Sequence, residues 1–282
     1  MYELVPLTPV DYLVIGHLAR DLTPEGPRLG GTAAYAALTA RALGLRVGVL
    51  TACPTDISLE GLEGITIVAL PSQHCTTFEN IPCDHGRRQI LHQRAEPLSF
   101  ESVPEEWRKA SIIHLGPIAQ EVDSHLPAGF SPTLLGLTPQ GWLRSWNGNG
   151  RVHPSDWPDF RLALRQAGAA VLSLEDVDGD ERLIESLALA CRVLVVTEGP
   201  AGARLYWNGD MRHFPAPKMD ELDSTGAGDV FAAAFFIRLY FTRDPWEAAR
   251  FATRLASLSV GRAGLASVPT TEEIQNSLVE VL

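Results

Sequence analysis

A rhythm of short apolar runs limits how this chain can fold. "DYLVIG" (11–16), "RVGVLT" (46–51), "ITIVAL" (65–70), "ASIIHLG" (110–116), "TLLGLT" (133–138), "AAVLSL" (169–174) and "RVLVVTEG" (192–199) are each of strand length and almost free of charge. Helical stretches separate most of them, among them 32–44, 159–167 and 176–190. Strands that are apolar on both faces must be covered on both, so the alternation predicts a mostly parallel sheet between two helical layers, an α/β three-layer αβα sandwich. The helix at 32–44 carries alanines at 33, 36, 37 and 40, a close-packing face, and Gly44 ends it. One segment breaks the rhythm. "TTFENI" (76–81) and "RRQILHQR" (87–94) alternate polar and apolar residues around "PCDHG", which predicts a hairpin with one wet face. The last third reads as helices over 229–241, 245–262 and 270–281, and the proline-rich stretch 151–160 reads as a loop. No repeat or linker divides the chain. A single domain is expected, with a small lid formed by about 22–29 and 74–95.

Composition removes several classes of function. The 282 residues carry a formal net charge of −11, which repels the polyanions of nucleic acid and membrane surfaces. A small anionic ligand stays open where local dipoles or metal ions hold it. The four cysteines form no C-x-x-C, so a zinc site or disulfide framework is not expected, and a reduced cytoplasmic setting is. "YLVIG" is too short for a signal peptide or membrane span. The only lysines, Lys109 and Lys218, do not follow glycine, so no P-loop is present. No H-E-x-x-H or G-x-S-x-G occurs. His17 and His114 adjoin strands and are expected to be packed, hydrogen-bonded side chains rather than ligands.

Residues 223–236 read "DSTGAGDVFAAAFF": two acids bracket a glycine-rich turn, and an apolar helix follows. A helix starting near Gly226 presents unpaired N–H groups from Gly226, Ala227, Gly228 and Asp229, and its dipole adds positive potential there. Glycine lets that backbone approach a ligand closely. Such a place suits an oxyanion, with Asp229 beside it as acceptor of a proton from an attacking hydroxyl.

The string D-S-T-G-A-G-D resembles the C-terminal signature of the ribokinase-like (pfkB-type) carbohydrate kinases, and the similarity runs over nearly the whole chain. "LVIGHLARD" (13–21) resembles the family's first strand and following acid, "RLGGTAAYAALTARALG" (28–44) its di-glycine signature, "VVTEGPAGARLYW" (195–207) its strand beside the nucleotide, and "VGRAGLASVP" (260–269) its loop near the adenine and a monovalent-cation site. The resemblance implies a ribokinase-like fold and an ATP-dependent, Mg²⁺-requiring phosphotransfer to a hydroxyl of a small polyol, sugar or nucleoside. Asp229 matches the general base, and Gly226, Ala227 and Gly228 match the anion hole. Asp21 matches the acid that binds substrate hydroxyls, and Gly30 and Gly31 match the di-glycine turn. Thr197 and Gly199, with Ser173 and Thr225, match the nucleotide side. Asp223 matches a residue that in some members helps bind potassium, with a capping role as the alternative.

The departures are informative. Where the family shows N-x-x-E for Mg²⁺, this chain has Ser173, Leu174, Glu175 and Asp176, so either Asp176 or Glu175 takes the metal-organising role, or the acids merely open a helix. Tyr35 stands where sugar kinases often place asparagine. It either stacks on a base or packs against a ring of hydroxyls. The segment between Asp21 and Gly30 is short, which implies a reduced flap. This and the 195–207 segment resemble the myo-inositol-kinase-like branch. "GLTPQGWLR" (136–144) follows a strand end, where α/β ligands bind, making Gln140 and Arg144 candidate specificity residues or parts of a surface loop. A nucleoside kinase, or a ligand-binding member that has lost the chemistry, are the alternatives. The partner expected is a small molecule, with a homodimer through the lid edge as a further option.

Overall fold

The computed structural model describes residues 7–83 and 86–278. In chain order its main elements are β1 (Tyr12–Ile15), β2 (Ala19–Thr23), β3 (Gly26–Gly30), α1 (Thr32–Ala42), β4 (Val47–Cys53), β5 (Thr66–Pro71), β6 (Thr76–Cys83), β7 (Gly86–Gln93), β8 (Ile112–Leu115), β9 (Leu134–Leu137), β10 (Arg144–Trp146), β11 (Val152–Pro154), α2 (Phe160–Gln166), β12 (Ala169–Ser173), α3 (Glu181–Ala190), β13 (Val193–Thr197), β14 (Ala203–Trp207), β15 (Asp210–Phe214), α4 (Ala227–Thr242), α5 (Pro245–Ser259) and α6 (Thr271–Leu278). Nine strands form one sheet in the order β15-β14-β13-β12-β9-β8-β1-β4-β5. From β5 to β13 the pairs are parallel; β14 and β15 close one edge antiparallel.

Each apolar run became a strand of this sheet. Along β1 the side chains alternate between two cores. Tyr12 and Val14 face the layer of α1, α4 and α5, and Leu13 and Ile15 face the layer holding Trp107, Leu164 and Ile184. The alanines of α1 meet Ala232, Ala233 and Ala234 of α4, small residues that let the two helices approach closely. The seat of α4 on the sheet is a notch at Gly136 in β9. A Cβ there would lie 2.6 Å from the Phe236 ring, so only glycine admits that ring. Phe236 is seven residues after Asp229, two turns along the same helix face. Seating Phe236 therefore also fixes where Asp229 falls.

The strand order departs from β1 in both directions, to β4 and β5 on one side and to β8 and β9 on the other. That is a topological switch point, and the crevice lies beyond the carboxyl ends of β1 and β8. The small sheet grows from this end. It has four strands in the order β3-β2-β6-β7, with β2 and β6 parallel and the other pairs antiparallel. The hairpin β6–β7 was legible in the sequence, although residues 84–85 of its turn lie outside the described residues. The hairpin β2–β3 was not. Its strands "ARDLT" and "GPRLG" carry too few apolar residues to alternate.

Two stretches differ from the sequence reading. Residues 152–154 of the expected loop pair with β10. The helix expected from 176 begins at Glu181, because Ser173 and Asp176 first close a capping box around a short 3₁₀ turn. The last helix runs from Thr271 to Leu278 as far as it is described, and residues 279–281 of the expected 270–281 span lie outside the described residues. The outer edge of the 76–94 hairpin is also engaged. Leu91 N–H donates to the Gly150 carbonyl (2.8 Å) and Ile90 bridges to Arg151, so the open edge of the small sheet is β3, which carries Pro27.

Candidate active site

Helix α4 begins with an exposed polar end that no side chain caps. Gly226, its N-cap, has φ +81, and a Cβ there would overlap the Tyr35 ring. Both facts require glycine. The Ala227 amide turns back to the Ser224 carbonyl (3.2 Å), whereas the Gly226, Gly228 and Asp229 amides have no partner among the described residues. Of the three residues expected to form an anion hole, Gly226 and Gly228 therefore keep open amides, as does Asp229, while the Ala227 amide is engaged. Asp223 holds the turn in front. One of its carboxylate oxygens accepts from Thr225 N–H (3.0 Å) and the other from Gly264 N–H (3.1 Å). Burial pushes the Asp223 carboxyl up, but these bonds, the Thr225 hydroxyl and the nearby Arg28 charge hold it below the usual range.

Asp229 keeps some accessible surface, yet dense protein surrounds it. Burial pushes its carboxyl up to about 6. The Thr32 hydroxyl and Arg144 oppose the rise; the charges of Asp176 and Asp21 add to it. That set of influences locates the site. Residues from β2 (Asp21), the start of α1 (Thr32), the start of β10 (Arg144), the turn after β12 (Asp176) and α4 (Asp229) come together there. A carboxyl near 6 is ionised at neutral pH and still basic enough to take a proton.

Of the residues expected on the substrate side, Asp21 and Tyr35 gather around the di-glycine. A side chain on Gly30 would run into the Asp21 carboxylate, and Gly31, at φ +85, is the N-cap of α1 against the His17 carbonyl. Both glycines therefore have packing reasons besides any ligand. Tyr35 is only 2% exposed. Its ring lies against Gly226, leaving no face on which a base could stack. Burial first, then the charges of Asp21, Asp229 and Asp223, keep its phenol protonated.

Gln140 and Arg144 converge on Asp176. Gln140 Nε2 donates to Asp176 Oδ1 (3.2 Å), and the Arg144 guanidinium lies 3.9 Å from the same atom and donates to Gln89 of β7 (2.8 Å). Arg144 therefore spans from the small sheet to the crevice floor. Asp176 also accepts from Ser173 N–H (2.8 Å), and the Ser173 hydroxyl accepts from Glu175 N–H (3.2 Å). Ser173 thus caps its own turn, while Glu175 is exposed. Among the described residues no three His, Cys, Asp or Glu side chains gather as an ion cage. Thr197, at the end of β13, is half-buried, and Gly199 starts the turn into β14 at φ +55. Thr32 escaped the sequence reading. Its position directly after Gly30 and Gly31 was the available signal.

A buried carboxyl beside uncapped helix amides, at the switch point of a parallel sheet with a small sheet at its mouth, is the arrangement expected of the ribokinase fold. Comparison with known proteins agrees. The profile of the pfkB family carbohydrate kinases matches residues 168–272. A fructokinase of Klebsiella pneumoniae is 30% identical over 303 positions, covering 94% of this chain and 98% of that protein. A cytidine kinase of Thermococcus kodakarensis is 28% identical over 257 positions, covering 80% and 87%. Among solved structures, a pyrophosphate-dependent kinase of the ribokinase family, complexed with a pyrophosphate analogue and myo-inositol, superposes with a TM-score of 0.80 at 21% identity, covering 94% of this chain and 99% of that one. The chain belongs to the pfkB family of carbohydrate kinases.

Proposed function

We propose that this kinase transfers the γ-phosphoryl group of ATP to a hydroxyl of a small polyol or sugar. Asp229 takes the proton from that hydroxyl, and the Gly226, Gly228 and Asp229 amides stabilise the charge on the phosphoryl group in flight. Asp21, against Gly30, accepts hydrogen bonds from the other hydroxyls. Arg144 adds a fixed positive charge from the side of the small sheet, which serves as a lid. The observation that carries this reading is the Asp229 carboxyl near 6, next to three unpartnered amides and within electrostatic reach of Asp21.

Mg²⁺ supplies charge neutralisation between the phosphates when it accompanies the nucleotide. Asp176 is the acid placed to organise it. Both Asp176 oxygens already accept hydrogen bonds, which fits a contact through the ion's waters rather than direct ligation. Asp223 is assigned to holding the turn rather than a monovalent cation, because both its oxygens accept backbone amides. The nucleotide side is assigned to the ends of β12 and β13, with Thr197, Gly199 and Thr225. A polyol or sugar is favoured over a nucleoside because Tyr35 offers no stacking face.

The test is turnover on a panel of polyols, sugars and nucleosides with Mg-ATP, with pyrophosphate as a second donor. Acceptor-dependent ADP formation with a polyol or sugar supports the reading. Turnover of nucleosides alone would transfer it to the nucleoside kinases, turnover with pyrophosphate alone would replace the donor, and no acceptor-dependent turnover would reject it.

A further inference from the structure

Directly beneath the crevice, three polar side chains form a hydrogen-bonded row in the apolar core. Tyr12 and His114 are both 0% exposed, and Thr138 is 7% exposed. Tyr12 Oη lies 2.7 Å from His114 Nδ1, and His114 Nε2 lies 2.9 Å from Thr138 Oγ1. The imidazole is wedged edge-on between the rings of Tyr12 and Phe236.

The donors and acceptors in this row can be assigned from chemistry alone. The Tyr12 hydroxyl has one proton and one partner. A fully buried O–H left without an acceptor is costly, so it donates to Nδ1. A neutral imidazole has a single N–H, which must then sit on Nε2 and point at Thr138 Oγ1. Burial pushes the His114 pKa down to about 3, so the ring stays neutral. Thr138 therefore accepts from His114, and its own proton must point elsewhere. No acceptor for it exists among the described residues.

Thr138 directly follows β9, beside Gly116 at the end of β8. A Cβ built on Gly116 would lie 3.2 Å from Thr138 Oγ1 and 2.5 Å from Thr32 Cγ2, so both threonines border one point. Thr32 in turn bonds to Asp229. An oriented donor without a protein acceptor thus sits one side chain away from the base, on the floor of the crevice.

We propose that the Thr138 hydroxyl donates to an oxygen of the acceptor substrate next to the hydroxyl being phosphorylated, and that Tyr12 and His114 are positioning residues that aim its proton. This rests on the phosphotransfer reading, and it narrows the substrate to an alcohol with a second oxygen beside the reacting one. Two measurements test it. The first needs no substrate: ¹⁵N NMR of histidine-labelled protein between pH 5 and pH 8. His114 is expected as the neutral Nε2–H tautomer throughout. An Nδ1–H tautomer, or titration near the ordinary value of about 6.5, overturns the assignment whatever the enzyme phosphorylates. The second uses the best alcohol from the panel. Thr138→Val is expected to raise its KM about three- to tenfold, the effect of one neutral hydrogen bond, with kcat much less changed. Thr138→Ser, which keeps the hydroxyl, recovers the KM, and Tyr12→Phe moves KM in the same direction as Thr138→Val. A Thr138→Val enzyme with a lowered Tm but a KM within about twofold of wild type would make the row purely structural and sink the proposal. Should no alcohol be turned over, the phosphotransfer reading falls, and the NMR result still decides how the row is protonated.

Discussion

Replacing Asp229 with asparagine should remove activity and raise stability together, and the size of the second effect follows from the site. The folded carboxyl titrates at about 6 against an ordinary value of 3.8. The folded protein therefore holds this proton more tightly than the unfolded chain does. The stability that the proton contributes is present in full below the unfolded value and is lost as pH rises through the folded one. Above about pH 6 the native state carries a confined negative charge that costs on the order of 3 kcal/mol, at 1.36 kcal/mol per unit of displacement. Asparagine has the same shape and no charge, and its amide oxygen can still accept from Thr32. Asp229→Asn should therefore unfold at higher urea than wild type at pH 8, by at most that amount, since Asp229 retains some contact with solvent. Most of the gap should close by about pH 4.5, where the wild-type side chain is protonated in the folded state. Turnover should fall by about 10²- to 10⁴-fold, the usual contribution of a general base. Near-wild-type turnover would refute the assignment of the base. A variant less stable than wild type at pH 8, or a stability gap unchanged between the two pH values, would refute the buried-charge argument.

Other perturbations probe the parts that place Asp229. The kcat/KM of the wild type should rise about tenfold from pH 5 to pH 7, with a midpoint near 6, as the base loses its proton; a flat profile in steady-state assays would contradict this. Arg144→Ala removes a charge that holds the Asp229 carboxyl down, so the midpoint should move upward as kcat/KM falls. An unmoved midpoint would place Arg144 outside the crevice. Gly226→Ala combines an unfavourable φ of +81 with overlap on the Tyr35 ring, and should cost about 1–3 kcal/mol in urea unfolding. Gly136→Ala puts a methyl group 2.6 Å from the Phe236 ring. It should lower Tm through overpacking worth about 1–3 kcal/mol and also lower kcat, because the shift travels along α4 to Asp229. A loss of Tm with kcat unchanged would show that the helix absorbs the strain before its N-terminus.

The parts legible in the sequence are those whose cause is local. Seven apolar runs became strands of one sheet because continuous apolar character leaves a strand no other stable place. The alternation of 76–94 exposed its hairpin for a related reason, one dry face and one wet. By contrast β15, "DMRHF", is an exposed edge strand of mixed character, held only by its pairing with β14. Within the candidate site, the uncapped turn at Gly226 and the acid at Asp229 were legible because a helix start is built from consecutive residues. Thr32, Thr138, Tyr12 and His114 are each ordinary in isolation. His114 and Thr138 are joined only by the β8–β9 pairing that puts His114 beside Gly136, and Tyr12 reaches His114 only by the β1–β8 register that puts Tyr12 beside Ile112. Register over a hundred residues of separation is a property of the folded sheet, and no window of sequence contains it.

The placement of polar groups in an apolar layer also bears on the surroundings of Asp229. The face of the sheet beneath α4 is otherwise apolar, with Val14, Ile112 and Leu134 around His114. A row of buried polar groups weakens such a core unless every donor and acceptor is matched, and here the matching ends at Thr138. That unmatched end belongs to a side chain that is only 7% exposed. Helix α4 shows a comparable contrast, with Val230 to Ile237 buried and packed through aromatic rings while the amides at its start are uncapped. Each leaves a donor end open, and the two are linked through Thr32, which borders Gly116 together with Thr138 and bonds to Asp229 at the start of α4. On the proposed reading, an oxygen-rich ligand would satisfy both at the same time, whereas a purely apolar one would leave both unpaired.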